Sequence, residues 1–197
     1  MLKLKFGNHK LGDDTAIFNM SSVENCPAKK KGLCNVINKG IRCYAGKAEQ
    51  QYKDAVIAYR NRQESNWRTR SGSEILTDFF NQIKRRRKTT SYLRFNESGD
   101  FHSQDCIIKL SYITDGLKTI GVTTYGYTAR YDLDFRKATF LVKGSGHDKG
   151  NNGRTEVILK DESIPEGYIE CPGGEKGCSR CNLCKIDTKL NIAFRKH

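Results

Sequence analysis

The chain reads as an α/β protein built on an open or partial-barrel, mostly parallel sheet. Three observations predict this. Short β-rich runs alternate with amphipathic helical stretches. The five clear runs are too few to close an eight-stranded barrel. Polar loops follow the runs in regular order, on the face where such folds bind ligands. With 197 residues, one domain spanning residues 1–197 is expected.

In chain order, Leu2, Leu4 and Phe6, then Ala16 and Phe18, alternate as in a small edge strand or hairpin. A cysteine-bearing loop over 26–44 follows. Ala48, Tyr52, Ala55, Val56 and Tyr59 recur at helical spacing. Ser71 to Glu74 fits a capping box, opening a helix over about 73–87 with Ile75, Leu76, Phe79, Phe80 and Ile83 as its apolar stripe. Strand 91–95 leads through NESGDFHS to a helix over about 103–115, capped by Ser103, with Gly116 placed to end it. Further strands are expected at 119–128, 138–142, 155–159 and 168–170. A second cysteine-rich loop, 171–184, closes the series and belongs to the same domain.

Hydrophobic residues make up 37% of the chain, enough for a core. No apolar stretch is long enough to span a bilayer. The opening MLKLKFGNHKLGDD lacks the apolar region of a secretory signal. A cytoplasmic protein without a membrane partner is therefore expected. In a reducing compartment, eight cysteines point to metal or an iron–sulfur cluster rather than to disulfides.

The strongest signal is CPGGEKGCSRCNLC, where Cys171, Cys178, Cys181 and Cys184 are spaced C-x6-C-x2-C-x2-C. Repeated C-x2-C steps wrap thiolates around one compact cluster, and Pro172 follows the first cysteine as proline often follows a ferredoxin ligand. A [4Fe-4S] cluster is expected here. Zinc is the alternative, because four thiolates also close a tetrahedral site, although structural zinc sites usually use two separate C-x2-C knuckles. Cys26, Cys34 and Cys43 form a second group, C-x7-C-x8-C. Three thiolates would hold a second cluster with one iron open, would complete the other site, or would each be a small core residue. Cys106, beside Ile107 and Ile108 in the expected helix, reads as a core thiol.

Glu97 and Asp100, at the end of the 91–95 strand, are candidates for a base or a cofactor contact, as against a plain tight turn. Tyr127, Thr128 and Arg130 end the next strand, and Arg130 joins the catalytic candidates. The glycine-rich 144–153 loop lacks the spacing of a phosphate-binding loop and reads as a mobile loop, with a catalytic or metal pair at His147 and Asp148 as the alternative.

The net charge of +13 is clustered. Lys29–Lys31 form one patch. Arg60, Arg62, Arg68 and Arg70 surround Trp67, and Lys84, Arg85, Arg86, Arg87 and Lys88 run together. Arg68, Arg70 and Arg85–Arg87, with Trp67 as an interleaved aromatic, suit a groove that tracks a nucleic-acid backbone. An acidic host protein would fit the same patches, and a solvated helix face is the plain alternative.

The ordered set Cys26-Pro27, Cys34, Cys43-Tyr44-Ala45, Arg94-x4-Gly99-Asp100-Phe101 and Tyr127-Thr128 resembles the phage gene-product-eighty-eight-like family over most of residues 20–185. The Cys-Tyr-Ala element and strand-end loops are also distantly similar to radical S-adenosylmethionine enzymes, whose tight C-x3-C-x2-C loop is here much wider. The resemblance implies a phage-encoded, cluster-binding protein of the host cytoplasm; the cluster would be redox-active or structural, and the basic patches add the expectation of a role in nucleic-acid processes. The alternatives are a zinc-stabilised basic binding module and a radical S-adenosylmethionine-like enzyme.

Overall fold

A computed structural model describes residues 1–8, 10–173, 177–179 and 181–196. Positions 174–176 and 180 of the expected 171–184 loop lie outside the described residues. The protein is α/β, with one open sheet of eight strands: β1 (Lys5–Phe6), β2 (Thr15–Phe18), β3 (Tyr92–Phe95), β4 (Thr123–Thr128), β5 (Leu141–Ser145), β6 (Arg154–Ile158), β7 (Tyr168–Glu170) and β8 (Asn191–Arg195). Their order is β1-β2-β3-β4-β5-β6-β8-β7. Only the β1–β2 pair is antiparallel. The sheet therefore has three more strands than the five read from sequence. The 15–18 run is an interior strand paired to β3, and β8 had no sequence expectation at all.

Among the described residues, six helices accompany the sheet: α1 (Pro27–Lys30), α2 (Asn35–Asn38), α3 (Tyr44–Gln51), α4 (Lys53–Thr69), α5 (Gly72–Lys84) and α6 (Gln104–Lys118). The expected capping box of α5 is present, with Ser71 and Glu74 bonded reciprocally. The helical stretch around 48–59 is two helices, broken at Tyr52, whose backbone (φ −130°, ψ 49°) is not helical. Ser103 holds the N-cap position of α6 without a side-chain capping bond. Among the described residues, no helix is long and apolar enough to cross a membrane.

Alternation along the strands sorts side chains to two faces. One face carries Ala16, Phe18, Leu93, Phe95 and Val142 into a core completed by α4, α5 and α6. Trp67 is fully buried there, its ring 5.1 Å from that of Phe18, which meets Phe79 at 5.7 Å. The expectation of Trp67 as a surface aromatic among arginines is thus corrected: an indole this hydrophobic is worth more in the core than in water.

Gly116 does not end its helix. It lies within α6, where a Cβ would sit 2.4 Å from Leu76 Cδ2, so its missing side chain lets α5 and α6 close on each other. Gly116→Val is expected to destabilise the protein by about 1–3 kcal/mol through overpacking. Thermal unfolding should show a midpoint several degrees lower, with Gly116→Ala milder because the Leu76 tip can turn away.

Candidate functional site

Cys26, Cys34 and Cys43 occupy equivalent local positions, each the N-cap residue of a helix, α1, α2 and α3 respectively. Their half-buried thiols form one group: Cys34 feels the charge of Cys43, and Cys26 that of Cys34. Burial pushes the Cys26 thiol up to about 12, with Asp100 adding to the rise, while the backbone of Lys29 and Ala28 pulls the other way. The stretch before Cys26 is pinned by a buried ion pair. Glu49 Oε1 takes Arg60 Nη1 at 2.7 Å and the Val23 amide at 2.9 Å. Arg60, placed with the basic surface by the sequence, is therefore an interior residue.

The neighbour of this group is the loop leaving β3. Asn96 has a left-handed backbone (φ 54°), and among the described residues the buried Asn96 Oδ1 and Ser98 Oγ have no hydrogen-bond partner. Ser98 donates its amide to Asn19 Oδ1 at 2.8 Å, which ties the β2 and β3 ends together. Asp100 accepts from the Phe101 amide, Thr128 Oγ1 and the Ala129 amide, each at 2.8 Å. A carboxylate so engaged stitches two strand ends together.

Cys171, Cys178, Cys181 and Cys184 line one cavity on the other sheet face, with Leu11, Arg94, Tyr125, Tyr127, Lys185 and Phe194 among the walls. Burial pushes Cys171 up to about 11, with the other three thiols adding to the rise. Cys184 is raised by burial too, while Tyr127 and the buried Lys143 oppose. Lys143 Nζ donates to Leu190 O at 2.8 Å and so anchors the chain that returns from this segment. Among the described residues, three buried donors of residues lining the cavity have no hydrogen-bond partner: Arg94 Nε, Tyr125 Oη and Lys185 Nζ, the last lying 4.5 Å from the centre of the Tyr92 ring. Unpaired buried donors are costly, and several around one cavity call for an anionic occupant. Among the described residues, no group of three or more His, Cys, Asp or Glu side chains is placed to hold a metal ion.

Arg94 spans the two cysteine groups. It donates to Tyr44 Oη at 3.2 Å, next to Cys43, and its guanidinium lies 5.4 Å from the centre of the Tyr127 ring, whose hydroxyl reaches Cys184. Sequence reading did not single out Tyr125, Lys143 or Lys185. The available signals were a charged residue inside the apolar FLVKG run and tyrosines two apart on β4.

The remaining candidates have other occupations. Glu97 accepts Asn8 Nδ2 at 3.0 Å, and its carbonyl accepts the Tyr44 hydroxyl at 2.5 Å. Arg130 is buried, clasps Asp132 through two nitrogens at 2.6 and 3.0 Å, and also donates to Phe101 O. His147 Nε2 donates to Thr128 O at 3.0 Å while Nδ1 accepts the Lys149 amide at 3.1 Å, which holds its loop to the β4 end. Of the basic set, Arg70 pairs with Asp78, and Arg86 lies 4.1 Å over the Phe6 ring. Arg68, Arg85 and Arg87 are exposed.

A family model described as Gene product 88 matches residues 2–143. The match begins earlier than the resemblance read from sequence and stops before the four-cysteine segment. No curated protein and no solved structure matches the chain.

Proposed function

The chain belongs to the gene product 88 family, and from that premise we propose that it is a phage-encoded iron–sulfur protein whose cluster is held by Cys171, Cys178, Cys181 and Cys184. The observation that carries this reading is the cavity itself. Four thiols stand on its wall, and the lining residues Arg94, Tyr125 and Lys185 carry buried donors without a hydrogen-bond partner among the described residues. Four thiolates around an iron–sulfur core carry net negative charge, and these donors are what such a group needs around it. When bound, such a cluster supplies one-electron transfer or a structural crosslink.

The chain's own residues set the conditions for this. Phe194, Ile192 and Leu11 keep the cavity largely apolar. Arg94, Lys143 and Lys185 place cationic groups beside it, which favours the more negative, reduced state. Because burial keeps the bare Cys171 and Cys184 thiols protonated, loading should release protons and weaken as pH falls. The exposed Lys84, Arg85, Arg87 and Lys88 offer a face for nucleic acid or an acidic host protein.

A second reading concerns Cys26, Cys34 and Cys43. Three thiols beside the unpartnered Asn96 Oδ1 and Ser98 Oγ would leave one iron open to a small polar ligand, as in S-adenosylmethionine-dependent radical enzymes.

Metal and sulfide analysis of anaerobically purified protein tests the proposal. About four iron and four sulfide per chain are expected for one cluster, and about twice that if both groups are loaded. Colourless protein carrying stoichiometric zinc and no iron would overturn it.

A further inference from the structure

Residues 1–6 lie against α4 and α5, and side chains of both helices hold their backbone in place. Leu2 N donates to Asp78 Oδ2 at 2.8 Å and Leu4 N to Gln82 Oε1 at 2.9 Å. Gln82 Nε2 returns a hydrogen bond to Leu2 O at 2.8 Å. From α4, Tyr59 donates its hydroxyl to Lys3 O at 3.1 Å, and Gln63 Oε1 accepts the Lys3 amide at 3.2 Å. Alternation along the segment buries Leu2 and Leu4 and leaves Lys3 and Lys5 exposed.

This register brings the two lysines to the basic end of α5, although Leu4 and Gln82 are 78 residues apart in the chain. Arg86 lies 4.1 Å over the Phe6 ring and donates to Asp13 O at 2.9 Å, and its neighbours Lys84, Arg85 and Arg87 are exposed. Among the described residues, Lys3, Lys5, Lys84, Arg85 and Arg87 have no acidic partner, whereas Lys88 pairs with Asp13. The negative end of α5 is answered by Lys84 in its last turn. Crowding further like charges beside it costs repulsion that the fold does not repay, so the surplus suits a polyanionic partner.

We propose that Lys3 and Lys5, together with Lys84, Arg85 and Arg87, form one strip that binds the phosphate backbone of double-stranded DNA without reading its sequence. Single strands are held by stacking bases on exposed rings. Here Phe6 lies beneath Arg86, the Tyr59 hydroxyl is tied to Lys3 O, and Trp67 is fully buried. An acidic protein would dock around an apolar centre, but Leu2 and Leu4 are both turned into the core. What remains is cationic charge, and a duplex presents about one phosphate charge per 1.7 Å of its axis. The proposal narrows the basic face to one partner class. It rests on that face being an interaction surface and is independent of the cluster.

The test is fluorescence anisotropy of two short DNA duplexes of unrelated sequence, and of their single strands, with the intact protein between about 50 and 200 mM salt. The duplexes should bind alike and more tightly than the single strands. The logarithm of the binding constant should fall with that of salt at a slope between about −4 and −6. Lys3→Gln with Lys5→Gln should make the slope shallower by about two, and so should Arg85→Gln with Arg87→Gln. Arg136→Gln, at an exposed arginine paired with Asp134 outside the strip, should leave it unchanged. These variants alter exposed side chains only, while residues 2–4 are held through their backbone, so the fold is kept. A slope that the lysine pair does not move would overturn the proposal, as would tighter binding of the single strands. Binding to polyglutamate but not to duplex would overturn it while keeping the face for an acidic protein. Binding to neither would remove the face as an interaction surface altogether.

Discussion

Serine in place of Cys184 is expected to strip the protein of one cluster's iron, about four atoms per chain, together with the visible absorbance that goes with it. Cys184 is the sulfur that Tyr127 reaches and Lys143 faces, so it couples the segment both to β4 and to β5. A serine hydroxyl fills nearly the same space but has no anionic form at neutral pH, and the thiolate is the ligand. The structural consequence should be as large as the chemical one. Without an anion in the cavity, Arg94 Nε, Tyr125 Oη and Lys185 Nζ stay buried and unpaired, each at about 1–3 kcal/mol. The segment between β7 and β8 should then open to water and to protease. Cys106→Ser is the control and should keep its iron, because Cys106 lies in the first turn of α6, outside both thiol groups. The measurement is iron and sulfide per chain for wild type and both variants, with the rate of limited proteolysis beside it. A C184S protein that retains wild-type iron would sink the four-thiolate assignment.

Local signals carried the elements they act on. The Ser71–Glu74 capping box and the apolar stripe of α5 need no distant partner, so that helix was legible at its start, although it ends at Lys84, three residues before the expected Arg87. Strand β3 was equally clear, because Leu93 and Phe95 alternate with Tyr92 and Arg94. What escaped was set by tertiary context. β5 runs three residues later than its apolar pattern, since Lys143 can lie in a strand only where the Asn152 and Leu190 carbonyls receive its ammonium. β8 is a five-residue run that only its neighbours β6 and β7 make into a strand. Gly116 reads as a helix stop unless the approach of Leu76 is known.

The site divides the same way. Spacing alone grouped the seven cysteines into four and three, and the charges they exert on one another follow that grouping. Spacing could not say that Arg94 would touch Tyr44 beside one group and stack on Tyr127 beside the other. Nor could it say that Arg130, with a catalytic residue's profile in sequence, spends its donors on Asp132 and on backbone carbonyls.

Asp100→Ala is expected to cost on the order of 3–5 kcal/mol near pH 5 and distinctly less near pH 7.5. The cost arises because Phe101 N, Thr128 Oγ1 and Ala129 N all lose their acceptor in a buried place. The pH dependence arises from Asp100 itself. Burial, only partly offset by those three donors, raises its carboxyl from the ordinary 3.8 to about 6. A carboxyl raised on folding binds more protons in the native state than in the unfolded chain between those two values. Stability conferred by Asp100 is therefore fully present below about 4 and falls as pH rises through about 6, by an amount on the order of 3 kcal/mol. The alanine variant has no such group, so its stability lacks that slope, and the gap between the two proteins should narrow as pH rises. Urea unfolding of both proteins at pH 4.5, 6 and 7.5 measures this directly. A gap that stays constant, or widens toward pH 7.5, would mean that the three donors outweigh burial and that Asp100 is held ionised throughout. It would then press a full negative charge on the neighbouring Cys26 and Cys34 thiols at every pH where the protein folds.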